Sequence, residues 1–210
     1  MGRNTGPKCR LCRREGIKLM LRGARCETAK CAMERQWRAS PPGQHNWRRT
    51  RSSEYGLRLR EKQKVKRYYG VYEKQFIKYF HEAEGQKGNT GAALLTLLER
   101  RLDNVIYKLG LAPSRAAARQ TVCHGHVHVN GRQLNVSSYM VKVGDKICVK
   151  DNDRSKKLIR ASLEELGEPH IQNWLKLDMT KLEAEIVALP TRDDVMIPVE
   201  EHMIVELCSQ

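Results

Sequence analysis

In RLDNVIYKLGLAPSRAAARQTVCHGHVHVNGRQL, residues 101–134, the hydrophobic period passes from helical to alternating, and the architecture turns on that change. Leu102, Val105, Ile106 and Leu109 continue a helical stripe begun by Leu94, Leu95, Leu97 and Leu98, and Gly110 stands where a C-terminal cap belongs. Ser114, after Pro113, suits the N-cap of a second helix, SRAAARQTVCH, which Gly125 ends. Arg115 and Arg119 then share one helix face. HVHVNGRQL reads as a hairpin about Asn130-Gly131, and VKVGDKICVK as another about Gly144-Asp145. Two short helices and short antiparallel strands make an α+β module, with Arg115, Arg119, His124, His126 and Arg132 near its joins as a compact basic knob.

Upstream, residues 54–80 read as two helices broken at Gly70, with Tyr68, Tyr69, Tyr72, Phe76, Ile77 and Phe80 at core spacing. GQKGN (85–89) is a hinge, and Met33 to Arg38 a short helix that Pro41-Pro42-Gly43 stops. Downstream, residues 158–177 are mildly helical, with Glu164, Glu165 and Glu168 as an acidic patch. VMIPVEEHMIVELC (195–208) reads as a terminal strand or extended tail.

Charge separates these regions. The chain carries 39 Lys and Arg against 24 Asp and Glu, a net +15. Residues 1–70 hold 20 basic and 5 acidic side chains, so 20 − 5 = +15; residues 71–160 contribute 16 − 8 = +8, and residues 161–210 contribute 3 − 11 = −8. The surplus therefore equals the excess of the first third, a concentration suited to a polyanion whose counterions are released on binding. Arg48, Arg49 and Arg51 alternate there with Trp37, Trp47 and Tyr55, the mixture of charge and stacking faces used on RNA. No apolar run is long enough for a membrane span and no signal-peptide core follows Met1, so cytosol is the expected compartment.

In a reducing compartment, seven cysteines point to metal or free thiols rather than disulfides. Cys9 and Cys12 form C-x2-C, Cys26 and Cys31 form C-x4-C, and thirteen residues separate the pairs. Two knuckles so spaced aim four thiolates at one tetrahedral point, which predicts one structural Zn2+. Four sulfurs leave no vacancy for a catalytic water. His124, His126 and His128 lack a partner ligand at zinc-finger spacing. The Asp193-Asp194 and Glu200-Glu201 pairs fall on opposite faces of an extended chain, unsuited to sharing a proton. The chain has no phosphate-binding P-loop, no dinucleotide-binding glycine fingerprint, no nucleophile elbow and no H-E-x-x-H.

Arg101-Leu102-Asp103, Ser114-Arg115, Ala118-Arg119-Gln120, His124-Gly125-His126 and Val129-Asn130-Gly131 resemble the small RNA-binding module shared by ribosomal protein S-four, some pseudouridine synthases and bacterial tyrosyl-tRNA synthetases. GPKCRLCRREG, ARCETAKCAMER, PPGQH, EYGLRLREKQK and ALPTRDDVMIPVEEHMIVEL resemble the bacterial small-subunit ribosomal protein S-four family in its zinc-binding form, so the likeness spans the chain. It implies a non-enzymatic constituent of the small ribosomal subunit that binds 16S ribosomal RNA early and nucleates assembly of the subunit body. It also implies a boundary with small-subunit protein five that bears on accuracy, and a place with protein three on the path by which messenger RNA enters. The implied organisation is a basic zinc-binding segment (1–44), a mainly helical domain (45–91) completed by the tail (180–210), and an inserted module (92–179).

By charge and by match to these motifs, the expected RNA contacts in the first third are Arg3, Arg10, Arg13, Arg14, Arg22, Arg25, Gln44, His45, Arg48, Arg49, Arg51, Tyr55, Arg58, Lys62, Lys64, Arg67 and Tyr68. In the module they are Arg115, Arg119, Gln120, His124, His126, Asn130 and Arg132. The alternative is an RNA-modifying enzyme that docks through the same module. Too few residues follow the module for a catalytic domain of ordinary size.

Overall fold

Eight α-helices and one five-stranded antiparallel sheet form in the computed structural model, which describes residue 2 and residues 4–45, 53–167 and 171–209. Arg3, Arg48, Arg49 and Arg51 lie outside the described residues, as does Trp47. The chain divides into two units, Met1–Leu94 with Met196–Gln210, and Leu95–Val195.

The first unit begins with α1 (Lys8–Glu15), closed by Gly16 at φ 72°, a left-handed angle that glycine adopts without strain. Short 3-10 turns follow at Gly23–Cys26 and Gln36–Arg38, the second being all that forms of the helix expected from Met33 to Arg38. Helix α2 (Glu54–Tyr68) starts at Ser53, whose hydroxyl accepts from the Gly56 N–H, and α3 (Glu73–Glu84) follows the break at Gly70. Tyr68, Tyr69, Phe76 and Phe80 are buried, whereas Tyr72 is exposed. The expected extended tail is instead a helix, α8 (Glu201–Cys208), which packs along α2 and buries Ile204. Its β-branched content favours a strand, but packing of one apolar side outweighs that weak local preference.

The single stripe expected across residues 94–109 is two helices, α4 (Thr90–Glu99) and α5 (Leu102–Lys108). They part at Arg101, which is extended (φ −66°, ψ 134°) and bridges to Met140. Helix α6 (Arg115–Cys123) starts at Ser114, whose hydroxyl accepts from the Ala117 N–H. The hairpin about Asn130-Gly131 joins β1 (Val127–Val129) to β2 (Arg132–Gln133). The second expected hairpin does not form: β3 (Lys146–Val149) pairs with β1 and with β5 (Glu183–Ile186), while residues 141–143 are not a strand. The Asp145 carboxylate fixes that approach by accepting from the Lys142 N–H at 2.8 Å. Helix α7 (Asp153–Leu166) starts earlier than expected, at the Asn152 cap, and Leu175–Asp178 is strand β4 rather than helix.

The sheet order is β2-β1-β3-β5-β4. Pairing of β5 with β3 puts residues 180–195 in the second unit, so the tail contributes to the first unit only from Met196. One face of the sheet, with Val127, Val129, Ile147, Ala184 and Ile186, closes on Leu102, Ile106, Val122, Ile159 and Trp174. Each large apolar side chain so enclosed stabilises the fold by about 1.5–3 kcal/mol before entropy is subtracted.

Candidate nucleic-acid interface

The four paired cysteines converge, though not through the turns their spacing predicts. Cys9 and Cys12 lie three apart on α1 and so share one helix face. Cys26 ends the first 3-10 turn, and its sulfur accepts from the Arg22 N–H at 3.4 Å. Cys12, Cys26 and Cys31 are buried, and all four line one small cavity with Leu21 and Met33. Burial pushes the Cys12 thiol up, the Leu19 N–H opposes that, and the three neighbouring thiols add to it. Burial likewise pushes Cys26 up, against the Arg22 N–H. Gathered thiols receiving backbone N–H bonds are a donor set that suits a thiophilic ion. Even so, no group of three or more His, Cys, Asp or Glu side chains among the described residues is arranged to hold a metal ion as it stands.

Beside this cluster lies an open cavity of about 490 Å³. Arg10 and Arg13 enter it from α1, Arg22 and Arg25 from the first 3-10 turn and its cap, and Lys30, Arg35 and Arg38 from the following loop. Among the described residues none of these seven cations pairs with a carboxylate. Arg13 Nε donates to the Ser40 carbonyl at 2.8 Å and Arg35 Nε to the Ala29 carbonyl at 3.3 Å, which fixes their direction while leaving their charge uncompensated. Trp37, 71% exposed, also lines the cavity, with the Arg38 guanidinium 4.3 Å from its ring centre.

The basic stretch of α2 is different. Arg58 pairs with Glu206 at 2.6 Å, Arg60 with Glu15 at 3.2 Å, and Lys62 and Lys66 both with Glu73 at 2.7 Å. Lys64 pairs with Glu61, and Arg67 with the Glu15 carboxylate, which is wholly buried. Every Lys and Arg from 58 to 67 is thus matched within the first unit. Burial pushes Glu15 up despite Arg67 and Arg60, and pulls Arg67 down, marks of a desolvated pair that ties α1 to α2. Tyr68, also expected at the interface, is buried edge-on against Tyr69, whereas Gln44, His45, Tyr55 and Arg14 are exposed.

In the second unit the expected basic knob is divided between inward and exposed side chains. Arg101 makes a two-pronged contact with Asp103 (Nε to Oδ1 3.1 Å, Nη2 to Oδ2 2.7 Å), and Arg119 reaches the same carboxylate at 3.8 Å. Arg115 is buried, donates from Nε to Asn104 Oδ1 at 2.8 Å and stacks 4.4 Å from the Tyr107 ring centre. Asn104 in turn donates to the Glu99 carbonyl at 3.0 Å. Asn130, at φ 51°, donates to Asp145 at 2.8 Å and accepts from the Lys146 N–H at 2.9 Å, clamping the hairpin to β3. His126 is half-buried against Ser155 at 2.9 Å; burial, then His124 and Lys150, hold its pKa down. Gln120, His124 and Arg132 remain exposed.

Two family descriptions match the chain: Ribosomal protein S4/S9 N-terminal domain over residues 3–99, and S4 domain over residues 100–147. Relatives named small ribosomal subunit protein uS4 cover the whole chain, and the chain covers the whole of each. Identity is 54% for that of Halothermothrix orenii, 54% for Pelotomaculum thermopropionicum and 53% for Caldicellulosiruptor bescii. The chain belongs to the uS4 family. The uS4 relationship gives the two surfaces different standing. The S4-domain match ends at Ile147, inside β3, so β4 and β5 complete a sheet that the matched segment only begins. The motif residues Arg101, Asp103, Arg115 and Arg119 are tied to one another's network, holding α5 to α6 instead of facing outward. Lys30, Arg35 and Arg38 were not among the expected contacts, although the interleaving of arginine and tryptophan in ERQWR (34–38) signals them.

Proposed function

We propose that the chain is a non-catalytic structural constituent of the small ribosomal subunit, cytoplasmic, which binds 16S ribosomal RNA mainly through the first unit. The observation that carries this reading is the contrast within that unit. The cations of α2 are neutralised internally, while the seven around the Trp37 cavity are left for an outside polyanion. The relatives' common name supports the small subunit as the setting. Within it, we assign the chain to early binding at a multi-helix junction that nucleates the subunit body. A boundary with small-subunit protein five would bear on accuracy, and one with protein three would line the path by which messenger RNA enters. The RNA contacts we retain in the first third are Arg10, Arg13, Arg14, Arg22, Arg25, Gln44, His45 and Tyr55, with Arg3, Arg48, Arg49 and Arg51 kept from sequence. In the module they are Gln120, His124 and Arg132.

We further assign Cys9, Cys12, Cys26 and Cys31 as ligands of one structural zinc. When bound, the ion would cross-link α1 to the loops that follow and fix the arginines they carry. It supplies no reaction, since four thiolates leave no position for substrate. Burial of Cys12, Cys26 and Cys31 and the backbone N–H donors to Cys12 and Cys26 support the assignment.

Binding to 16S ribosomal RNA should fall by about three to five decades between 50 and 200 mM salt if 6–10 phosphates are neutralised. Binding no tighter to this RNA than to an unrelated structured RNA of equal length would refute the assignment. Elemental analysis should give one zinc per chain, lost with Cys26→Ser; zinc retained by that variant would refute the ligand set.

A further inference from the structure

We infer that the arginine cavity of the first unit receives one unpaired nucleotide of a bound RNA chain, its phosphates against the guanidiniums and its base stacked on Trp37. The inference rests on the RNA-binding reading and names what this part of the surface selects. A cavity of about 490 Å³ falls within the roughly 300–1,000 Å³ of sites that enclose small ligands. A double helix is too broad to enter such a concavity, and it keeps its bases stacked inside, whereas unpaired bases can splay out onto aromatic side chains. Cations from α1, from the first 3-10 turn and from the loop after Cys31 surround the opening on several sides. That distribution suits a strand that turns inward and presents phosphates in more than one direction.

The base-binding part is Trp37. An indole 71% exposed gains little for the fold, because most of its apolar surface stays in water. A base laid on the ring removes that surface from water, and the Arg38 guanidinium 4.3 Å from the ring centre adds a cation to the stack. The site is also partly organised in advance. The Nε bonds of Arg13 to Ser40 and of Arg35 to Ala29 hold two guanidiniums in place before any ligand arrives, so little side-chain freedom is lost on binding. The matched cations of α2 lack this combination of uncompensated charge and an adjacent open ring.

The test uses the full chain and tryptophan emission, with Trp37→Phe identifying the contribution of residue 37. A single-stranded oligoribonucleotide should quench Trp37, and Trp37→Ala should weaken its binding by about five- to a hundredfold. The same sequence as a duplex should leave Trp37 emission unchanged. Combined Arg22→Ala, Arg25→Ala and Arg35→Ala should flatten the salt dependence for the single strand by about 0.7 in slope per phosphate lost. Equal affinity of wild type and Trp37→Ala for the single strand, or equal quenching by the duplex, would overturn the inference. Adenosine monophosphate binding as tightly as the oligonucleotide would overturn the assignment to an RNA chain. If both proteins bind 16S ribosomal RNA equally well, the nucleotide site fails while the RNA-binding reading stands; if wild type does not bind that RNA at all, both fail.

Discussion

Arg115→Ala tests whether this motif arginine supports the fold or contacts RNA. In the structure Arg115 is 7% exposed, bonded at 2.8 Å to Asn104 and stacked at 4.4 Å on Tyr107. A hydrogen bond to a charged group contributes about 1.5–3 kcal/mol, and a desolvated cation over an aromatic ring about 0.5–2 kcal/mol. The substitution also leaves Asn104 Oδ1 inside the fold without this donor. A loss of about 3 kcal/mol is therefore expected, and with a urea slope of about 1.5 kcal/mol/M the unfolding midpoint should fall by about 2 M. Trp174 is a suitable reporter, being 3% exposed and donating to Gln172 at 3.0 Å, once Trp37 and Trp47 are changed to phenylalanine. Below the unfolding transition, the folded variant should bind RNA nearly as wild type does. A midpoint shift under about 0.3 M, accompanied by weakened RNA binding, would refute the inward role.

Three further outcomes follow from the same geometry. Asp145 is buried and accepts from Asn130, from the Lys142 N–H and from the Tyr139 hydroxyl at 3.3 Å, so Asp145→Ala should cost about 2–4 kcal/mol and lower the melting temperature by about 10 °C or more. A Cβ on Gly91 would lie 2.6 Å from Glu201 Cβ; Gly91→Ala should therefore destabilise by about 1–3 kcal/mol and speed amide exchange in α8, whereas the same change in an open helix would stabilise by about 1 kcal/mol. At Glu73, burial alone would raise the carboxyl, but hydrogen bonds from Lys62 and Lys66 outweigh it and hold the group below its ordinary 4.5. The folded value lies below the unfolded one, so this stabilisation is full above about pH 4.5 and disappears as pH falls through the folded value. The gap in urea stability between wild type and Glu73→Gln should accordingly close on acidification, and a gap independent of pH would contradict the pairing.

The legible parts of the fold were those written in local signals. Ser114 caps its helix as its side chain predicts, Gly70 separates α2 from α3, and Asn130-Gly131 turns the first hairpin. The signals failed where distant segments compete. Residues 141–143 alternate like a strand, yet β3 takes its second partner from β5, nearly forty residues further on. The tail has the composition of a strand and becomes α8 because α2 offers it a surface.

For the interface, the sequence by itself determined the sign and the location of the charge: twenty cations in the first seventy residues, and four cysteines in two close pairs among them. Composition counts an arginine as a positive charge wherever it stands. Only the tertiary structure decided which of those charges are already matched, because a carboxylate partner such as Glu206 for Arg58 lies 148 residues away. It engaged Arg115 and Arg119 in an internal network, and brought Arg35, Arg38 and Trp37 to the mouth of a cavity. Charge is a property of the chain, whereas its availability depends on what the folded chain sets beside it.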